Sequence, residues 1–162
     1  MKNIVQTLPY EVFNEAHKIN QLFEAGMDVL HIRKPLYKLK QFTSLLEEID
    51  SEFHSRIVIN SHFKLLKKFN LKGIHFQEQK RIDYIDNPSE YFKNLNMYGK
   101  TISSSFHEPK VLKDCYFEFD YHLLSPVFSS ISKKGYEGRG FDVNNIDKSI
   151  VGMGGINTET IA

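Results

Sequence analysis

The chain of 162 residues is long enough for one compact domain and too short for two comfortable ones, so a single domain over residues 1–162 is expected. Its 21 basic and 20 acidic side chains argue against a nucleic-acid-coating surface and against a polybasic membrane patch. Cys115 cannot form an internal disulfide, the amino terminus lacks the apolar run of a signal peptide, and no stretch approaches the roughly 20 apolar residues of a membrane span. We therefore expect a cytoplasmic protein that binds neither nucleic acid nor membrane.

Short β-rich runs alternate with segments of helical periodicity along the chain. Strands are predicted over residues 2–8, 27–33, 56–60, 73–76, 99–105, 117–126 and 149–154, and helices over 11–26, 36–53 and 62–70, with a polar, weakly helical stretch after the fourth strand. Apolar runs without strict alternation are typical of strands buried on both faces, and the intervening helices indicate a parallel sheet.

Right-handed crossovers in series favour an α/β fold of the TIM (β/α)8 barrel type, with the eighth βα unit missing from this chain. The alternative is an open doubly wound sheet. Against it, the segment after the first strand, TLPYEV, contains no glycine where a GxGxxG turn would be needed.

Polar and glycine-rich segments follow the predicted strands, at the edge where the active sites of such barrels assemble. They are HIRKP, INSH, HFQEQ, SSSFH, SPVFSS and GMGGIN. The segment SSISKKGYEGRG (129–140) combines three serines, two adjacent lysines and three glycines. Hydroxyls, backbone N–H groups and a lysine on such a loop can wrap an oxyanion.

These segments, in this order, resemble the thiamine phosphate synthase and thiazole tautomerase family over nearly the whole chain. The most specific pieces are SPVFSSISKKGYEGRG (125–140) and IVGMGGI (150–156). The resemblance implies a transferase that joins hydroxymethylpyrimidine diphosphate to thiazole phosphate, with Mg2+ and with release of pyrophosphate. It leaves open a tautomerase-like isomerase of thiazole phosphates and a non-catalytic binder of phosphorylated thiamine precursors. The partners would be small phosphorylated pyrimidine and thiazole substrates.

The resemblance also implies roles for individual residues. Catalytic roles are implied for Arg33, Lys133 and Ser105, and binding of substrate or phosphate for His31, Asn60, Ser130, Ser132, Gly154 and Gly155. The structural alternatives are a solvated loop for 129–140, a plain tight turn for the glycine pair and a helix cap for Asn60. His75 is predicted to be a satisfied core histidine, and His107 is expected to support the site without touching substrate.

The chain departs from the family pattern where a metal would bind. The positions of the synthase's metal-binding aspartates fall on Ser61 and on HFQEQ, which offers Glu78 but no aspartate. Because magnesium usually takes one or two carboxylates besides the substrate phosphates, we expect weakened metal binding. Lys34 is one place out of phase with the synthase signature, so it should point to the other face of its strand. Pro126 occupies the position of the tautomerase's histidine, so that proton-transfer residue is absent too.

The sequence ends with INTETIA after the seventh predicted strand, just where a helix should begin. We expect a truncated chain whose native form continues for roughly 35 to 45 residues, at about 25 residues for each βα unit. The alternatives are direct pairing of strands one and seven, or a partner chain, as in a homodimer, that supplies the missing edge.

Overall fold

The structure, a computed structural model, describes residues 3–84, 97–129, 135, 137–157 and 159–160. The fold is α/β, and every described strand pair is parallel. The chain divides into two compact units, Met1–His75 with Asn87–Thr101 and Phe76–Asp86 with Ile102–Ala162. The expectation of one domain stays a prediction, and so does closure of a barrel.

The first unit alternates strands with helices in chain order. Its strands are β1 (Ile4–Gln6), β2 (Val29–Ile32), β3 (Ile57–Ile59) and β4 (Gly73–Phe76), the last residue of which belongs to the second unit. Its helices are α1 (Glu15–Glu24), α2 (Leu39–Glu48) and α3 (Leu65–Lys68), with a 3-10 helix at Ser51–Arg56. Strand β1 pairs with β2, β2 with β3, and β3 with β4. These strands and α-helices lie where the sequence predicts them; β4 has the predicted bounds, and the others are shorter.

Apolar side chains at helical spacing bury one face of each long helix in the first unit. Strands β2, β3 and β4 are buried along their whole length, which explains why their apolar runs do not alternate. The helical core residues are Ala16, Ile19 and Phe23 of α1 and Phe42, Leu45 and Leu46 of α2. Helix α2 begins where the backbone N–H of Lys38 donates a 3.0 Å hydrogen bond to Gln41 Oε1, as in a capping box.

The second unit contains the later strands. They are β5 (Thr101–Phe106), whose first residue belongs to the first unit, β6 (Tyr121–Leu124) and β7 (Ile150–Gly152), and the helices are α4 (Glu78–Tyr84) and α5 (Pro109–Asp114). Strand β5 pairs with β6 and β6 with β7. Helix α5 is absent from the sequence prediction, because so short a segment carries little apolar periodicity. Pro109 at its first turn is the one start signal that the sequence offers.

Aromatic rings and a buried arginine fill part of the core of the second unit. Phe106 contacts the rings of Phe119 and His122, and the Arg81 guanidinium lies 4.1 Å from the centroid of the Phe106 ring. Burial lowers the pKa of both Arg81 and His122 below their ordinary values.

Within the described ranges, no helix is long and apolar enough to cross a membrane.

Candidate functional site

In the first unit, Arg33 follows directly on β2, and its backbone is fixed by the end of β1. The N–H of Arg33 donates a 2.9 Å hydrogen bond to Thr7 Oγ1, and the Thr7 hydroxyl donates to the Arg33 carbonyl over 3.3 Å. The side chain of Arg33 is half-buried. Arg33 thus lies at the carboxyl end of a strand, as the sequence predicts for a residue that binds an anion.

His31, two residues earlier, is wholly buried and contacts His75 of β4 in an edge-to-face arrangement with ring centroids 5.0 Å apart. Burial lowers the pKa of His31 to about 4, and burial together with the charge of His31 lowers the pKa of His75 well below its ordinary value. Both imidazoles are therefore neutral near pH 7, and His31 offers a substrate no positive charge there. The prediction that His75 is a core histidine agrees with its burial.

Lys34 points away from this face, as its alternation with Arg33 predicts. Its side chain is fully buried, and its ammonium lies 2.7 Å from Glu15 Oε2 of α1 and donates a 2.5 Å hydrogen bond to the Tyr10 carbonyl. The lysine therefore connects the end of β2 to the start of α1.

Asn60 and Ser61 follow β3. Asn60 is 6% exposed, so its predicted contact with substrate would be made by a nearly buried amide. Within the part of the chain that the structure describes, the buried hydroxyl of Ser61 makes no hydrogen bond. Ser61 brings no carboxylate to the position where the family resemblance implies a metal ligand.

In the second unit, Ser105 lies near the carboxyl end of β5, and His107 follows that strand. His107 Nδ1 lies 2.9 Å from the Ser125 carbonyl oxygen and 3.3 Å from Ser125 Oγ. Because a carbonyl can only accept, Nδ1 carries the hydrogen and donates it, which leaves Nε2 as the nitrogen that can take up a proton. Nε2 faces Glu78 Oε2 at 3.9 Å.

Glu78, the first residue of α4, is shared between two basic side chains. Its carboxylate lies 3.5 Å from Arg81 Nη2 and 3.9 Å from His107 Nε2. Among the described residues, no group of three or more His, Cys, Asp or Glu side chains could hold a metal ion. Magnesium usually takes one or two carboxylates besides substrate phosphates, so its binding here stays a proposal, and we assign no chemical step to a metal.

A glycine turn follows β7. Gly154 and Gly155 have φ angles of 103° and 63°, which favour glycine. A Cβ on Gly155 would collide with the Ser129 carbonyl oxygen, and one on Gly154 would lie 3.1 Å from Pro126 Cα. The N–H groups of Gly154 and Gly155 donate no hydrogen bond to any described residue. Two neighbouring donors in such a turn can bind an anion.

Within the segment 129–140, the structure describes residues 129, 135 and 137–140. Ser130, Ser132 and Lys133, predicted from the sequence to bind diphosphate, lie outside the described residues. Residues 137–140 form the end of the segment and are called the returning arm. The Gly138 N–H donates to Ser129 Oγ over 3.1 Å, and Arg139 forms two hydrogen bonds to Glu108, of 2.6 and 3.0 Å. Arg139 lies in the segment 125–140 that carries the family resemblance, but the sequence analysis predicts no role for it or for Glu108.

Two comparisons with known proteins give matches. The profile of the thiamine monophosphate synthase family matches residues 7–162. The crystal structure of thiamine phosphate pyrophosphorylase from Bacteroides thetaiotaomicron superimposes with a TM-score of 0.65 at 35% sequence identity. That match covers 78% of this chain, which spans only 59% of the length of the Bacteroides protein. A search of the curated proteins gives no match.

The family match over residues 7–162 begins directly after β1. It therefore includes the ends of β2 to β7. By this evidence the chain belongs to the thiamine monophosphate synthase family.

Proposed function

We propose that the protein is a thiamine phosphate synthase-type transferase that joins hydroxymethylpyrimidine diphosphate to thiazole phosphate and releases pyrophosphate. The family match over residues 7–162 and the likeness to a thiamine phosphate pyrophosphorylase support a role in thiamine biosynthesis. The finer assignment depends on what the strand-end residues of each unit can bind.

The glycine turn is the observation that carries the proposal. The N–H groups of Gly154 and Gly155 have no acceptor among the described residues, and the two residues are consecutive, each with a positive φ angle. Successive N–H groups of this kind form an anion-binding concavity. We assign them to the phosphate of the thiazole substrate.

The diphosphate would be held by the cationic and hydroxyl-bearing side chains that follow the other strands. Arg33 has its backbone fixed by Thr7, and an arginine can bind two phosphate oxygens at once. Ser130, Ser132 and Lys133 are proposed for the same role from the sequence alone. Ser105, half-buried near the end of β5, is proposed to contact the pyrimidine.

Pyrophosphate departs with a large negative charge, so donors already in place before reaction would lower the barrier. We assign this stabilisation to protein N–H groups and cations. Magnesium remains a proposal that derives from the family resemblance.

One feature favours an isomerase of thiazole phosphates as a second candidate. The imidazole of His107 is oriented by the Ser125 carbonyl, and its second nitrogen faces Glu78. An oriented imidazole beside a carboxylate can move a proton, which a tautomerase needs and a synthase does not. His107 would then supply the proton-transfer group that is missing at Pro126.

The test is turnover with both synthase substrates, with and without magnesium, followed by measuring the pyrophosphate that is released. An isomerase would instead convert a thiazole carboxylate phosphate alone, with a change in its ultraviolet spectrum. A protein that only binds these compounds would gain thermal stability from them and turn over neither.

A further inference from the structure

Arg139, in the returning arm of the segment 129–140, is hydrogen-bonded to the two residues that follow β5. Arg139 Nη1 and Nη2 donate to the two carboxylate oxygens of Glu108 over 2.6 and 3.0 Å, and Nη1 also donates to the His107 carbonyl over 3.0 Å. The guanidinium lies 5.4 Å from the centroid of the Phe141 ring. A two-pronged arginine–carboxylate pair fixes geometry far better than an ordinary surface ion pair does.

The main chain beside Arg139 is bound to the segment that follows β6. The N–H of Arg139 donates to the Pro126 carbonyl over 3.0 Å, and the N–H of Gly138 donates to Ser129 Oγ over 3.1 Å. The arm therefore lies against residues 126–129 and is held from its other side by Glu108.

Residues 126–129 also pack against the glycine turn at Gly154 and Gly155. The N–H of Phe128 donates to the Gly154 carbonyl over 3.0 Å, and Gly155 leaves no room for a Cβ beside Ser129 and Phe128. A displacement of the returning arm would therefore displace residues 126–129 and, with them, the N–H groups of Gly154 and Gly155.

We infer that Glu108 and Arg139 are positioning residues for the phosphate site at Gly154 and Gly155. The inference rests on the proposed function, since it names what holds that site in shape. Glu108 is needed because it keeps the guanidinium in place. The hydrogen bonds from Arg139 lower the pKa of Glu108 below its ordinary value, so the carboxylate is ionised at neutral pH.

A different role for Arg139 predicts a different pattern of variants. If Arg139 bound the phosphate itself, Glu108 would compete with the ligand, and removing the Glu108 charge would tighten binding. If Arg139 positions the turn, removing either partner weakens binding.

The experiment measures the affinity of the protein for inorganic phosphate and for pyrophosphate by calorimetry. We expect Glu108→Gln and Arg139→Gln each to weaken binding about fivefold. The matched control is Glu118→Gln, which removes a carboxylate that pairs with Lys148 at 2.5 Å, a pair that includes no residue of the arm. Tighter binding by Glu108→Gln, or no change in either variant, would overturn the inference.

A second readout needs no ligand. Amide hydrogen exchange at Gly138 and Arg139, whose N–H groups bond Ser129 and Pro126, should accelerate in Glu108→Gln and stay unchanged in Glu118→Gln. If the unaltered protein binds neither phosphate nor pyrophosphate, the proposed function fails at this turn, and the exchange result still decides the anchoring role. Unchanged exchange in Glu108→Gln would contradict it.

Discussion

His31 and His75 contact each other inside the first unit, with ring centroids 5.0 Å apart and side chains at most 1% exposed. Burial holds the pKa of His31 at about 4 and that of His75 well below its ordinary value. The pair is therefore neutral in the folded protein, whereas an unfolded chain would protonate both rings near pH 6.5.

This difference predicts acid sensitivity. Between pH 6.5 and about 4 the unfolded chain binds a proton at His31 that the folded protein does not bind, so stability is complete above pH 6.5 and falls as the pH drops toward 4. For His31 alone the loss would be about 3 kcal/mol. Urea unfolding at pH 7.5 and pH 4.5 should show a smaller pH-dependent loss for His31→Gln than for the unaltered protein. The exposed His17→Gln is the control, and equal losses in all three proteins would contradict the prediction.

The buried ion pair of Lys34 and Glu15 predicts a large difference between two lysine substitutions. Lys34→Met leaves the 10%-exposed Glu15 carboxylate without its cation and should cost about 3 kcal/mol of unfolding free energy. Lys68→Met removes a pair with Glu47 whose side chains are 55% and 57% exposed, and it should cost less than about 1 kcal/mol. Chemical denaturation measures both, and similar costs would show that Lys34 is not a structural anchor.

Most of the fold follows from local sequence patterns. Strands such as β2 and β3 are marked by continuous apolar runs, and α1 and α2 by apolar residues at helical spacing. These strands and helices can therefore be predicted without knowledge of distant residues. Helix α5 lacks such a mark because its six residues include only Val111 and Leu112 as large apolar side chains. Its single start signal, Pro109, is too weak without a periodic pattern.

The candidate site was only partly visible in the sequence. The position of Arg33 after a strand and the left-handed need for Gly154 and Gly155 are local properties. The contact between Glu108 and Arg139 spans 31 residues, and it arises only because the segments after β5 and β6 are brought together by strand pairing. Nothing in the local sequence around either residue indicates its partner.

Alanine substitutions at Gly155 and Gly140 are predicted to differ in their effect on the stability of the fold. Gly155→Ala forces a Cβ against Ser129 and Phe128 at a φ of 63°, so it should destabilise the fold by more than about 1 kcal/mol and weaken phosphate binding. Gly140→Ala meets open space without a left-handed φ and should change stability by less than about 0.5 kcal/mol. Thermal unfolding and phosphate calorimetry on both variants check this. Normal phosphate binding by a folded Gly155→Ala protein would argue against the turn as the binding site.

The lack of a carboxylate at Ser61 predicts poor magnesium binding. In the presence of pyrophosphate, the unaltered protein should bind magnesium weakly, and Ser61→Asp should improve the affinity by adding a hard oxygen ligand. Ser61→Asn is the matched control, since it adds similar bulk without charge. Tight magnesium binding by the unaltered protein in calorimetry would show that the metal takes its ligands from positions other than Ser61.

Release of pyrophosphate separates a synthase from an isomerase and from a protein that only binds the substrates. The purified protein is incubated with hydroxymethylpyrimidine diphosphate and thiazole phosphate together, and with each alone, at neutral pH. We expect release only when both substrates are present, with thiamine phosphate formed in equal amount, and a large reduction in Arg33→Gln. No release under any of these conditions, with or without magnesium, would contradict the assignment as a synthase.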